Sequence, residues 1–366
     1  MLLGHALSLT ACCGLATAAL THRPRYAQTV LWSAERERER AAAEAGKSAS
    51  GHRRRRGVVL VMTGLMALIL VGGTIALVSS SGEARDQPKK AATVEPNVNR
   101  FNSASAMRIA KMQVDAGPRP AGSKTLRRVG EKLRKMLPNG RFEQVPGHPG
   151  LRNIVGSVDG TGPVLVIASH YDALKYPRGS LGANNAAAAV GAVIELAKSV
   201  GKMRRPAGAQ GIRFVLFDGE QSPSPKDSDF YTQALRGSRA YVRAHAEEVQ
   251  ALVLLDYVAN KNIRLPREGT SDVALWDTVR QAAQQVGVGK VFPNTTGASI
   301  IDDSTPFQQA GIPTVNFIDW NDPHRHKLSD TFDKLSEASL DAVGETVAQL
   351  VINRDRDPSS AAAGAP

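Results

Sequence analysis

The sequence predicts an α/β fold: a largely parallel central sheet flanked by helices, preceded by a transmembrane helix. Three observations carry this. Apolar, strand-like runs alternate with helical segments through the C-terminal two thirds, which implies a sheet covered on both faces. Several of those runs end in a histidine or a carboxylate, at the place where ligands bind in open α/β sheets. Residues 57–78, Gly57 to Val78, are an uncharged and mainly apolar run, long enough to span a bilayer of about 20 residues.

The elements follow in order. Asn102 or Ser103 caps a helix through about Val114, and Ser123 caps the next through about Met136, where Pro138-Asn139-Gly140 stops it. Arg152 to Val158 and Pro163 to Ser169 read as strands joined by the turn Gly160-Thr161-Gly162. Asn185 to Val200 is rich in Ala and Leu and reads as helix. Phe214 to Phe217, Leu252 to Leu255 and Thr314 to Ile318 are further strand runs. Helices are expected from Ser238, over Ser271 to Val286, and over Asp330 to Asn353. Ser222 to Ala234 is a Pro-, Ser- and Asp-rich insertion, in which Asp227 and Asp229 could meet a substrate's amino terminus.

The polar ends of the strand runs are His170-Tyr171-Asp172, Asp218-Gly219-Glu220-Gln221, Asp256, and Asp319 followed by His324 and His326. Taken singly, each is a common turn or cap residue. Histidines and carboxylates gathered from several strand ends point instead to metal-assisted hydrolysis.

These segments, with Gly182-Ala183-Asn184-Asn185, Leu254-Leu255-Asp256 and His326 through Leu335, resemble the M28 family of zinc aminopeptidases and glutaminyl cyclases. Gly117 through Ser123, Arg236-Gly237-Ser238-Arg239, Asp302 through Phe307 and Gly311-Ile312-Pro313 add to the resemblance, which runs from about 101 to 353. It implies a zinc-exopeptidase-like fold with a mixed sheet of about eight strands. His170 and Asp256 would bind the first metal, with Asp172 holding the His170 ring. Glu220 would be the general base, and His326 a ligand of the second metal.

Two positions depart from the pattern. Asn185 stands where the family has the carboxylate that bridges two metals, and Gln221 where it has a metal-binding Glu. An amide oxygen can coordinate a cation but brings no charge. The resemblance therefore implies zinc as one ion, weakly held, with another divalent metal such as manganese as an alternative. Arg325 replaces the family's Trp before the last His, and Ser304 the His of an acidic-acidic-His motif. Asp303, Ser304 and Arg325 are thus candidates for the substrate pocket. Three functions stay open: a peptidase acting on peptide N-termini, a glutaminyl-peptide cyclase, and an inactive M28-fold protein that binds peptides or small molecules.

The remaining sequence sets the context. Arg53 to Arg56 precede the apolar run, so residues 1–56 are expected in the cytoplasm and the domain at 101–353 outside, as on a bacterial cell surface. Residues 1–20 form a second, weaker apolar segment, residues 79–100 a linker and residues 354–366 a disordered tail. Cys12 and Cys13 are the chain's two cysteines, so the domain has no disulfide and no thiolate ligand. The net charge of +12 suggests nucleic acid at first sight. The basic residues are concentrated before the apolar run, however, and the domain mixes both signs, which argues against a nucleic-acid partner.

Overall fold

A computed structural model of the protein describes residues 95–357. The expected membrane segment at 57–78, the cytoplasmic region before it and most of the linker lie outside the described residues. Among the described residues, no helix is long and apolar enough to cross a membrane.

Runs of β-branched and aromatic residues form the strands β1 (Arg141–Gln144), β2 (Arg152–Val158), β3 (Thr161–His170), β4 (Gln210–Phe217), β5 (Val249–Asp256) and β6 (Thr314–Ile318). The helices are α1 (Ser103–Asp115), α2 (Lys124–Met136), α3 (Ala188–Lys202), α4 (Phe230–Gln233), α5 (Arg236–His245), α6 (Val273–Gln285), α7 (Thr305–Gln309) and α8 (Glu337–Arg356). The strands form one six-stranded sheet in the order β1-β2-β4-β3-β5-β6. β4, β3, β5 and β6 run parallel, while β1 and β2 are antiparallel to their neighbours.

The sheet is therefore mixed and largely parallel, with six strands among the described residues where about eight were expected. The turn at Gly160-Thr161-Gly162 does not close a hairpin. β4 lies between β2 and β3, and the turn crosses the start of β4, with Thr161 N–H donating to the Ala209 carbonyl at 2.9 Å. Glycine is needed at this crossing. A Cβ on Gly160 would lie 2.3 Å from the Gly211 nitrogen.

Alternate residues of each central strand serve opposite faces. On β3, Leu165 and Ile167 join the larger core with α1, α3, α6 and α8, while Val166 and Ala168 join a smaller core with Tyr241 of α5 and Phe307 of α7. Burial on both sides is why these strands read as unbroken apolar runs. Each fully buried Leu or Phe contributes about 1.5–3 kcal/mol.

Capping residues fix several helix starts. The side chains of Asn102, Ser123, Asp272 and Ser336 each accept a backbone N–H in the first turn of the helix that follows. Sequence placed the last helix start at Asp330, but α8 begins after Ser336. A short 3-10 turn at Phe332–Lys334 intervenes, and the Asp330 carboxylate is engaged elsewhere. α8 runs to Arg356, past the boundary read at 353, because Arg354 is buried and its guanidinium donates to Gln210 at 3.1 and 3.2 Å. Likewise, Asn97 within the expected linker donates to the Val286 carbonyl at 3.0 Å.

α3 crosses α1 closely enough that a Cβ on Gly191 would come within 2.4 Å of the Ala106 carbonyl oxygen. Gly191→Ala is expected to force the two helices apart and lower stability by about 1–3 kcal/mol, as overpacking does. Urea denaturation checks this. A midpoint equal to that of the wild type would contradict the close packing.

Candidate metal and active site

The strand order creates a switch point. From the central strand β3, the chain places β4 on one side and β5 on the other, and crevices open at the carboxyl ends of strands at such points. β3 ends at His170, β5 at Asp256, and β4 leads directly into Asp218-Gly219-Glu220-Gln221. Three adjacent parallel strands thus deliver their polar ends to one edge.

His170 is buried, and its Nδ1 lies 2.9 Å from the Asp172 carbonyl oxygen. A carbonyl only accepts, so Nδ1 carries a hydrogen, and Nε2 is the nitrogen that would offer a lone pair to a cation in the neutral ring. Nε2 faces Asp256 Oδ1 at 3.7 Å, and neither atom has a hydrogen-bond partner. A lone pair opposite a buried carboxylate calls for positive charge between them. Two ligands held about 2.0–2.2 Å from a tetrahedral zinc lie about 3.4 Å apart, close to this spacing. Burial alone would lower the His170 pKa, but Glu220, Asp172 and Asp256 outweigh it and hold it well above the usual value. The surroundings of this nitrogen favour a cation.

Behind it lies a cluster of buried acids. Glu220 Oε2 is 3.9 Å from His170 Nδ1 and has no hydrogen-bond partner. Burial, then Asp303, Asp172 and Asp256, push the Glu220 pKa well up against the opposing pull of His170. Neither Asp303 oxygen is hydrogen-bonded, since the nearby Ser238 hydroxyl turns to the Leu235 carbonyl at 3.3 Å. Burial is the main reason that Asp303 is pushed up to about 8.

The loop carrying Glu220 is clamped from both sides. The Asp172 carboxylate accepts the N–H groups of Glu220 (3.1 Å) and Gln221 (3.0 Å). Arg236 donates to the carbonyls of Gly219 (3.2 Å) and Gln221 (2.7 Å). Gly219 makes the turn at φ +76°, where a side chain would be strained.

Opposite this loop, Gln221 Nε2 donates to Asn185 Oδ1 at 3.4 Å, and Asn185 Nδ2 donates to the Tyr257 hydroxyl at 2.8 Å. The same hydroxyl accepts the His326 N–H at 3.3 Å. Asn185 sits in a π-helical turn, Ala183–Ala187, at the entry to α3. Such turns often mark functional sites. Asp330 holds that turn by accepting the N–H groups of Asn184 (2.8 Å) and Asn185 (3.1 Å). The buried Arg119 donates to the Leu181 and Gly182 carbonyls, and burial lowers its pKa to about 10 despite Asp330 and Asp172. His326 is exposed at φ +57°, and partial burial of its ring, followed by Arg325, lowers its pKa.

The sequence model of Peptidase family M28 matches residues 153–351. The chain belongs to this family. A glutaminyl cyclase from Porphyromonas gingivalis is similar at 27% identity and TM-score 0.62, covering 70% of this chain and 100% of that one. A leucine aminopeptidase precursor from Bacteroides thetaiotaomicron is similar at 26% identity and TM-score 0.63, covering 70% and 99%. A Zn-dependent exopeptidase from Parabacteroides distasonis, at 24% identity and TM-score 0.63 over 70% and 100%, shares the fold. No curated protein matches the chain.

The family's two-metal pattern meets a different donor set here. Among the described residues, no three His, Cys, Asp or Glu side chains are grouped to hold a metal ion. His170 and Asp256 fit one cation, while the oxygen of Asn185, the neutral third donor expected from sequence, accepts from Gln221 at 3.4 Å. The other positions do not fit a second ion. Asn185 and Gln221 are bonded to each other, and His326 alone remains as an imidazole.

Other expected residues are placed as follows. The Asp172 carboxylate lies 3.6 Å from His170 Nδ1, and it is the backbone oxygen that holds the ring. Asp303 faces the acid cluster. The Ser304 hydroxyl donates to Asp302 Oδ1 at 2.6 Å, just before the start of α7. Arg325 stacks over Trp320, 3.7 Å from the ring centre, and donates to the Trp320 carbonyl. Asp229 accepts from the hydroxyls of Ser224 and Ser228, whereas Asp227 stays near enough to raise the His326 pKa.

Sequence reading assigned no role to Tyr257, Asp330, Arg119 or Asn184. Arg119 stood within a recognised motif, but nothing in the sequence marked the Tyr257 hydroxyl as a shared acceptor.

Restoring the charges should restore metal affinity. The double variant Asn185→Asp with Gln221→Glu is expected to bind zinc at least about 10-fold tighter than the wild type, since even a less direct change near a metal is worth 10- to 100-fold. Competition with a zinc-binding dye measures this. Equal affinity would show that the amides do not occupy ligand positions.

Proposed function

We propose that this protein is a metallohydrolase of peptide N-termini that works with one divalent ion. The observation carrying the proposal is the pair of buried, unpartnered atoms His170 Nε2 and Asp256 Oδ1, 3.7 Å apart at adjacent strand ends. These two residues would hold the ion, with zinc the first candidate. When bound, it supplies Lewis-acid polarisation of the scissile carbonyl.

The protein's own groups do the rest. Glu220, with a raised pKa and a free Oε2, would take a proton from the attacking water and return it to the leaving amine. Asp172 and Arg236 keep the Glu220 backbone from moving during that transfer. Asp227, whose charge is felt by His326, would meet a substrate's ammonium group. Asp303, itself pushed up to about 8 by burial, would share the proton load with Glu220 between the two transfers.

A second reading, cyclisation of N-terminal glutamine, draws support from the similarity to the P. gingivalis glutaminyl cyclase and from the buried pair Glu220 and Asp303, which could relay a proton from the attacking amine. It is the weaker one. The family's cyclase zinc positions correspond to Asn185, Gln221 and His326, and the first two are amides engaged with each other. The chain is further proposed to be anchored through residues 57–78 with its domain outside the cell. Extraction from membranes by detergent but not by alkaline carbonate would support that arrangement.

With zinc supplied, the full chain is expected to release free amino acids from unblocked peptides. Glu220→Gln should keep its metal and lose about 10²–10⁴-fold in rate. Mass spectrometry of the products separates the readings. Loss of ammonia from a glutamine peptide with no amino acid release would favour the cyclase, and no turnover of either peptide would leave a binding protein.

A further inference from the structure

Outside the active site, a cavity of about 330 Å³ lies between α5 and the insertion that follows Gln221. Arg236, Arg239 and Arg243 of α5 line it, together with His148, Thr232 and Gln233. Spacings of three and four residues put the arginines on one helix face, where like charges repel. Such a stripe needs a counter-charge, yet no acidic residue lines the cavity, and none of the three arginines pairs with a carboxylate among the described residues.

Two arginines are partly committed. Arg236 holds the carbonyls of Gly219 and Gln221, and Arg239 donates to the Tyr231 carbonyl while stacking on that ring. Arg243 is exposed and makes no hydrogen bond or ion pair among the described residues. The positive field is felt by His148, whose pKa is lowered by burial first and then by Arg236 and Arg243.

We propose that this cavity binds a phosphate dianion, free or as the monoester of a small molecule. Guanidinium forks match phosphate oxygens in pairs, and a tetrahedral dianion can serve more donors than a carboxylate can. The Gln233 side-chain amide adds a neutral donor to the lining, while the Thr232 hydroxyl is committed to the Asp229 carbonyl at 3.1 Å. The volume leaves room for an organic substituent beyond the phosphate. Arg236 links the two sites, because the side chain that would meet the anion also grips the backbone on both sides of Glu220.

The test is calorimetric titration of the full chain with inorganic phosphate and with glycerol 3-phosphate, against chloride at equal ionic strength. One saturable site is expected. Arg243→Gln, which disturbs no intramolecular bond, should weaken it about tenfold or more, as loss of a hydrogen bond to a charged group does. Arg243→Lys should fall between. Tighter binding of the ester would identify a phosphorylated metabolite as the ligand class, and tighter binding of inorganic phosphate would identify the free ion. No saturable heat beyond chloride would overturn the proposal, as would an unchanged affinity in a folded Arg243→Gln protein.

Discussion

The site is organised by one confrontation: His170 Nε2 against the Asp256 carboxylate, at the ends of adjacent parallel strands and out of water. A buried carboxylate needs positive charge nearby, and without a metal a proton on His170, whose pKa the surrounding acids hold well above its usual value, supplies it. The surrounding structure maintains the arrangement. The Asp172 carbonyl fixes the ring, the β3–β5 pairing brings the two strand ends together, and Glu220 and Asp172 join Asp256 in favouring positive charge on the ring. A divalent cation bound there would take the place of that proton.

The amide pair follows the opposite logic. Carboxylates at the positions of Asn185 and Gln221, 3.4 Å apart, would repel by about 5 kcal/mol at an effective dielectric of about 20 unless a metal lay between them. The amides satisfy each other and extend the chain of donors to Tyr257. That half of the pocket is thereby settled without metal, while the His170 half is not. The asymmetry is the ground for proposing one ion in place of the two-ion arrangement implied by the family.

Much of this was legible in the sequence because strand ends and helix caps are local signals. The apolar runs ending in His170, Asp218 and Asp256 located three of the central strands and their common edge. Asn102 and Ser123 marked their helices through side-chain oxygens. Strand neighbours are not local. The insertion of β4 between β2 and β3 depends on pairing across some sixty residues of chain (Ile154 with Leu216), which a Gly-rich turn cannot signal. Asp330 misled for a related reason. It is a helix-capping type of residue, but it caps a turn distant in sequence. Ser304 stood at a motif position of the family, but its hydroxyl contact with the Asp302 carboxylate is not a signal that the motif carries. The mutual bond of Asn185 and Gln221 was beyond reach, since sequence showed two missing charges and not that the amides meet.

The central claim is that one ion binds, between His170 and Asp256. Anomalous diffraction at the zinc edge from crystals of the protein equilibrated with zinc tests it most directly. The account predicts one peak, within bonding distance of His170 Nε2 and Asp256 Oδ1, with the Asn185–Gln221 contact intact. Two peaks bridged by Asn185, or a single peak at Gln221 and His326, would contradict it.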